Sequence, residues 1–318
     1  MSKIINDEFS PELEGEDPFM IEHLGKKMFS HATPRKNRLL VWESVACVDI
    51  ALYDLMGKAL GVPVYKLLGG CRDEVPIISV QYYRAHDDYT KQLSELREDT
   101  AEAKKLGFYG IKLKVGATKI DQDVERVKTV REEGGDDFLI CCDANQSWTP
   151  EQAIKFGQKV GRHSLAYLEE PVYWYDEKRG LRKVREALEI PICACQTLAT
   201  KSECLEYILN GSVDMINHDV SRVGGITEWM KIAHIAEAHG VKIAAHANIE
   251  TTLSLFGATP NSTWATQQTP DRDPFWSGGQ LMKETPRPTN GFVKLSDRPG
   301  LGYEVKKEAI EEFRVPLE

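Results

Sequence analysis

The sequence predicts an α/β protein organised as a closed barrel, and three observations carry that prediction. From about residue 75 onward, short β-branched runs alternate with segments of helical period, the pattern of βαβ units around a parallel sheet. Eight such runs fit between Val75 and Thr266, the number from which a barrel of parallel strands closes. No Gly-x-Gly-x-x-Gly follows the first run, so the fingerprint of a doubly wound nucleotide-binding sheet is absent. The length of 318 residues suits a barrel of roughly 250 residues with an appendage.

Residues 1–70 read as helices joined by loops: Pro18–Phe29 is amphipathic, and Glu43–Leu60 is a longer apolar-faced helix stopped at Gly61. The strands expected next are Val75–Tyr82, Gly110–Val115, Phe138–Asn145, Leu165–Glu170, Pro191–Gln196, Asp214–Val220, Lys242–Ala247 and Thr263–Thr266. Between them, Ile120–Arg131 repeats valine at Val124, Val127 and Val130, the three-to-four spacing of one helix face. Ile226–His239 ends at Gly240, where a C-terminal glycine is favoured. Residues 284–318 carry Pro286, Pro288, Pro299 and Pro316 with Gly291, Gly300 and Gly302, and read as a returning tail with two short strands. The expected division is a helical segment over 1–70, a barrel over 71–283 and a tail over 284–318. Neither flank is long enough for a core of its own.

Hydrophobic residues at 42% and charged residues at 28% describe an ordinary globular chain and exclude disorder. The net charge of −9 gives no global attraction to a polyanion, so no nucleic-acid partner is expected. No apolar region follows the first lysine as a signal peptide requires, and no run of about 18 apolar residues offers a membrane span. Seven cysteines occur without a Cys-x-x-Cys pair, most of them in apolar runs. They read as buried free thiols in a cytoplasmic protein.

In a parallel barrel, chemistry sits at the C-terminal strand ends, and here those ends are polar on strand after strand. Lys112 and Lys114 stand at i and i+2, hence on one face of a strand. On the outside they would be ordinary surface lysines. Facing inward, repulsion and desolvation would lower the lysine pKa and make a general base. Asp143, Glu169 and Gln196 supply oxygen donors from three consecutive strands, an arrangement suited to a hard divalent cation. Taken singly they also fit a turn residue, a surface acid and a rim hydrogen-bonder. Asp219 and His246 end neighbouring strands, so the carboxylate can fix the imidazole tautomer and raise its pKa. His234 and His239 lack the His-Glu-x-x-His spacing and read as surface or packing residues.

These motifs resemble the enolase superfamily, specifically its mandelate racemase/muconate lactonizing enzyme branch, which includes many acid-sugar dehydratases. The resemblance rests on Gly110-Ile111-Lys112-Leu113-Lys114-Val115-Gly116, Asp143-Ala144-Asn145-Gln146-Ser147 and Leu168-Glu169-Glu170-Pro171. Asp219 with Gly224-Gly225-Ile226-Thr227, followed by Ala245-His246, is similar to that branch's Asp–His dyad. Val45–Gly70 resembles the helix and turn leading into its barrel. Thr269-Pro270-Asp271-Arg272-Asp273-Pro274 and Arg298-Pro299-Gly300-Leu301-Gly302 are similar to C-terminal motifs of some members.

The resemblance implies a TIM-like (β/α)7β barrel with an incomplete capping domain built from both termini. It implies Mg²⁺ held by Asp143, Glu169 and Gln196, and a metal-stabilised enediolate formed by removing the proton α to a carboxylate. Lys114, tuned by Lys112, would act on one face and His246 with Asp219 on the other, with Asn145 and Thr266 contacting substrate. The expected activity is a hydro-lyase that dehydrates an acid sugar, working as a homo-oligomer. A racemase or epimerase of a 2-hydroxy acid, and an impaired remnant with a binding role, stay open.

Three departures from the pattern are visible. Gln196 stands where the third metal ligand is usually Glu, reducing the ligand charge from −3 to −2. Thr266 stands where an acid is expected at the end of the eighth strand, and Glu250 reads as a surface helix acid rather than its replacement. Ile5–Glu14 resembles the later helical part of the family's cap, so only part of the cap is expected.

Overall fold

Alternating side chains in each β-branched run can serve two apolar environments at once, the barrel interior and the surrounding helices. The computed structural model, which describes residues 1–33, 36–82, 88–269 and 278–314, shows that arrangement. The parallel strands are β1 (Glu74–Gln81), β2 (Gly110–Lys114), β3 (Leu139–Asp143), β4 (Tyr167–Glu169), β5 (Ile192–Ala194), β6 (Met215–Ile216), β7 (Lys242–Ile243) and β8 (Ala265–Gln268). Neighbours follow the order β7-β6-β5-β4-β3-β2-β1-β8. Ile243 closes the ring, donating its N–H to the Asn261 carbonyl at 3.0 Å and accepting from the Thr263 N–H at 2.8 Å. A helix fills each of the seven connections: Tyr89–Lys105, Ile120–Gly134, Pro150–Val160, Glu177–Ala187, Lys201–Leu209, Ile226–Ala238 and Ile249–Ala258.

Ile78, Cys141, Tyr167, Cys193, Met215 and Ala244 pack together as the barrel's interior plug. Outward residues such as Ile111, Leu113, Ile140, Leu168 and Ile192 join the helices in the main core. The strand ladders are shorter than the apolar runs: β3 to β7 stop one to four residues before the expected ends. After β3, β4 and β5 the cause is local, because Asn145 (φ 44°), Glu170 (φ 43°) and Cys195 (φ 94°) leave the extended region. β8 corrects the expectation in the other direction. It runs on to Gln268, which leaves Thr266 in mid-strand rather than at the end.

The N-terminal part is helical, with Ser2–Leu13 continuous through a π-helical stretch over Ile5–Phe9. It is followed by the helices Ile21–Phe29 and Arg38–Leu60. The last begins five residues before the expected Glu43, because the Asn37 side chain caps it by accepting from the Leu40 N–H at 3.2 Å. Phe9, Met28, Val41 and Val45 form a small core among these helices. Asp49 joins them to the barrel by accepting from the Thr227 N–H (3.0 Å) and hydroxyl (2.6 Å) at the start of Ile226–Ala238. A side chain at Gly225 (φ 91°) would place its Cβ 2.4 Å from that carboxylate, so the approach requires glycine.

The tail differs from expectation. Among its described residues it holds one strand, β9 (Phe292–Lys294), antiparallel to the start of β1 at Glu74–Pro76, and a helix over Lys307–Glu312. The rest of its pairing is by isolated bridges. Pro316 and the Pro270–Pro274 part of the C-terminal motif lie outside the described residues. Cys141, Cys142, Cys193, Cys195 and Cys204 are buried, whereas Cys47 and Cys71 are exposed, and all seven are free thiols. Among the described residues no helix is long and apolar enough to cross a membrane. His234 and His239 are exposed.

Two contacts in this frame give measurable expectations. Asp49→Ala strips two hydrogen bonds from a buried junction and should lower unfolding stability by about 2 kcal/mol in urea titration. His218, fully buried, stacks on Trp229 at 4.8 Å. Burial drives its imidazole down to about 3, against smaller opposing pulls from the Trp229 backbone and Asp219. The unfolded chain therefore binds a proton at this position that the folded chain refuses below its ordinary value of about 6.5. The contribution is present above pH 6.5 and is lost as pH falls toward 3. Urea stability of the wild type should drop faster than that of His218→Phe, by about 1.4 kcal/mol per pH unit between roughly pH 6 and pH 4.

Candidate active site

The register of β2 settles which way its lysines face. Ile111 and Leu113 pack outward against helices, so Gly110, Lys112 and Lys114 point into the barrel, and Lys112 is only 3% exposed. Lys114 pairs in register with Asp143, and Asp143 with Glu169, which sets three charged side chains side by side on adjacent strands. Lys112 Nζ donates to Glu169 Oε1 at 2.9 Å and Oε2 at 3.0 Å, and lies 3.5 Å from Asp143 Oδ2. Lys114 Nζ donates to Asp143 Oδ2 and sits over the Tyr82 ring at 5.6 Å.

These pairings correct the expectation that facing inward lowers the Lys112 pKa. Burial does pull it down, but Glu169 and then Asp143 more than reverse this and hold the ammonium above the ordinary lysine range. Asp143 is opposed by burial yet held down to about 2 by Lys112 and Lys114. Glu169 is pushed up, by burial first and then by the Asp143 charge, despite Lys112. Two carboxylates in one buried cluster thus respond in opposite senses, as like charges at close range do.

The third oxygen donor arrives by a break in alternation. Cys193 faces the barrel interior, and two residues later Cys195 should do the same. Its φ of 94° instead leaves the thiol packed in the outer core with Cys204. Gln196 is buried, and its Oε1 has no hydrogen-bond partner. Asp143, Glu169 and this orphaned amide oxygen are buried oxygen donors from three consecutive strands, a donor chemistry that fits Mg²⁺, with lysine ammonium groups balancing the carboxylates. Among the described residues no three His, Cys, Asp or Glu side chains converge as a metal site.

Three residues beyond the ends of β6 and β7, His246 Nδ1 lies 2.9 Å from Asp219 Oδ2. Asp219 Oδ1 accepts from the Ser221 N–H (2.8 Å), the Ser221 hydroxyl (2.7 Å) and Asn248 Nδ2 (2.9 Å). Burial raises the Asp219 pKa, but the bonds from His246 and Ser221 outweigh it, so the carboxylate stays ionised. With Nδ1–H donating to Asp219, the Nε2 of a neutral His246 is left as a proton acceptor.

A cavity of about 430 Å³ opens here, lined by Lys112, Lys114, His246, Asn248, Glu250, Thr266, Gln268 and Met282 among others. Asp143, Glu169 and Asp219 are buried against Lys114, Lys112 and His246, and neither they nor the buried Gln196 line it. Thr266 is in the wall. Asn145 is not, since it is exposed after β3 with its backbone N–H donating to Asp143 Oδ1 at 2.9 Å. Glu250 overturns the surface assignment: it is half-buried in the cavity wall, and burial raises its pKa. Sequence reasoning also missed Asn248, Gln268 and Asn217, the last buried with both amide atoms unpartnered. The signal for Asn217 was present, because it lies two residues past the interior residue Met215 and hence on the same face.

Comparisons with known proteins identify the family. Residues 95–309 match the enolase C-terminal domain-like family, and residues 1–69 match the mandelate racemase/muconate lactonizing enzyme N-terminal domain. The chain is 34% identical over 310 residues to arabinonate dehydratase of Saccharolobus solfataricus, covering 96% of this chain and 81% of that protein. It is 34% identical over 304 residues to L-talarate/galactarate dehydratase of Salmonella typhimurium, covering 95% and 73%. Other relatives are a D-galactarolactone cycloisomerase and a hydrophobic dipeptide epimerase. A mandelate racemase/muconate lactonizing enzyme from a marine actinobacterium, solved in complex with magnesium, superposes with a TM-score of 0.92 at 35% identity, covering 99% of this chain and 87% of that one. The chain belongs to the mandelate racemase/muconate lactonizing enzyme branch of the enolase superfamily.

Proposed function

We propose that the protein is a Mg²⁺-dependent acid-sugar dehydratase. The observation that carries this reading is that basic groups enter one cavity from β2 and from the segment after β7, with the carboxylates of Asp143 and Glu169 buried against the lysines. β2 and β7 lie three strands apart one way round the ring and five the other, so Lys114 and His246 reach a bound substrate from different sides. Asp143, Glu169 and Gln196 would hold the ion. When bound, Mg²⁺ supplies a divalent charge that neutralises the second negative charge developing on a carboxylate as its α-carbon loses a proton.

The chain's own groups account for the rest. His246 Nε2, its other nitrogen tied to Asp219, takes the α-proton. The Lys114 ammonium delivers a proton to the β-hydroxyl, which leaves as water as the α,β double bond forms, and the enol product then tautomerises to a 2-keto-3-deoxy acid. Lys112 stays cationic beside Glu169 and stabilises charge without moving a proton. Thr266 and Glu250 line the same cavity and offer hydrogen bonds to the substrate. Similarity to arabinonate and L-talarate/galactarate dehydratases supports an acid sugar as the substrate class. Racemisation is the second reading, favoured by the same two-sided placement of bases and by the epimerase relative. Thr266 argues against a mandelate-type racemase, because a hydroxyl is a poor substitute for a carboxylic acid as a donor.

A panel of acid sugars with Mg²⁺ should yield a 2-keto-3-deoxy product, and Lys114→Ala or His246→Asn should each cut turnover by about 10²–10⁴-fold. Inversion at the α-carbon without loss of water would select the racemase reading, and no turnover together with no Mg²⁺ binding would sink both. Gln196→Glu restores a third carboxylate and should tighten Mg²⁺ binding while slowing turnover, as the better neutralised ion polarises its ligand less. Unchanged affinity and rate would remove Gln196 from the metal set.

A further inference from the structure

Leu168-Glu169-Glu170-Pro171 holds two adjacent carboxylates, and the proposed chemistry uses only the first. Glu170 is wholly buried outside the cavity. Its Oε1 accepts the backbone N–H groups of Cys195 at 2.9 Å and Gln196 at 3.0 Å. Its Oε2 accepts from Gln146 Nε2 at 3.1 Å. Its backbone is tied in as well, the carbonyl accepting from the Gln146 N–H at 2.7 Å and the N–H donating to the Cys193 carbonyl at 2.9 Å. One residue therefore fastens together the turns that follow β3, β4 and β5, each next to one of the three oxygen donors.

The turn after β5 most needs fastening. Cys195 holds a φ of 94°, which side chains other than glycine rarely adopt, and such strain persists only where surrounding contacts impose it. Two successive N–H groups converging on one carboxyl oxygen form a concave nest, a contact that this turn conformation makes available. If Cys195 relaxed to an extended φ, alternation would return its thiol to the barrel interior and carry Gln196 outward.

We propose that Glu170 is a positioning residue that holds the strained Cys195–Gln196 turn and so presents the Gln196 amide oxygen to the ion. This rests on the assignment of Asp143, Glu169 and Gln196 as the Mg²⁺ ligands. Calorimetric Mg²⁺ titration of the full chain tests it without reference to activity. Glu170→Ala should weaken Mg²⁺ binding by about 10–100-fold, the usual effect of removing an outer partner of a metal ligand. Glu170→Gln keeps a carbonyl oxygen able to accept both N–H bonds and should stay within about threefold of wild type. In a Gln196→Ala background the same Glu170→Ala change should add less than about threefold, because its route to the ion is already gone.

The inference is overturned if E170A binds Mg²⁺ as the wild type does, if E170Q is as weak as E170A, or if the full penalty reappears in the Q196A background. Asp143→Ala separates the two levels. Loss of binding in D143A with none in E170A rejects the Glu170 role alone, whereas unaltered binding in both rejects the metal assignment. Should E170A fail to fold, Glu170→Asp takes its place in the cycle with the same expectations, since it keeps the carboxyl group but withdraws its oxygens from the two N–H groups.

Discussion

Two carboxylates buried without solvent at the mouth of a barrel demand opposite charge beside them, and the architecture around this site answers that demand. Removing an ion from water costs several kcal/mol even after relaxation, and both Asp143 and Glu169 are fully buried. Lys112 and Lys114 supply compensation through the register that sets β2 against β3 and β3 against β4. A one-residue slip of β2 would turn both lysines toward the outer helices and Ile111 and Leu113 toward the carboxylates. Register, electrostatics and the capacity to receive a divalent cation are therefore one constraint. A cation entering this cluster has to compete with the ammonium groups for the same oxygens.

Strain is distributed with the same logic. Asn145, Gln146, Glu170, Cys195, Ala247 and Asn248 all have positive φ and all lie just past the ends of strands β3, β4, β5 and β7. A regular strand can aim only alternate residues into the barrel. Abandoning the ladder frees the chain to direct consecutive residues, such as Glu169 and Glu170, toward different surroundings. Glu169 meets Lys112 in the interior, whereas Glu170 meets Gln146 and the backbone of the next turn. The barrel below supplies the rigidity that makes such conformations affordable.

Much of this was legible in the chain, and the boundary of legibility has a physical cause. Order and number of strands followed from β-branched runs alternating with helical spacing, because burial on two faces imposes that pattern. Lys112, Lys114, Asp143, Glu169, Gln196, Asp219 and His246 could be placed near one rim because strand ends are countable. Depth along a strand was not countable: Thr266 sits mid-strand because β8 continues to Gln268. Glu250 was misjudged because helical position says nothing about what a first turn faces, and here it faces a cavity. The direction of the Lys112 shift was misjudged because an isolated pair of lysines repels, and only the folded register brings carboxylates to within bonding distance.

The pairing of β1 carries a consequence for how the chain reaches this state. β1 receives β8 along Ile77–Val80 and β9 at Glu74–Pro76, so the first barrel strand waits for some of the last parts of the chain to be synthesised. Until then its edge is an open template for mispairing, and contacts so distant in sequence form slowly. A nascent chain lacking β8 would already contain Lys114, the carboxylates and His246, yet nothing would hold β7 and β1 at the spacing across which Lys114 and His246 face a common cavity. Completion of the ring thus rests on strands that lie about 190 residues or more beyond β1 in the sequence, so the two ends of the chain meet at one strand.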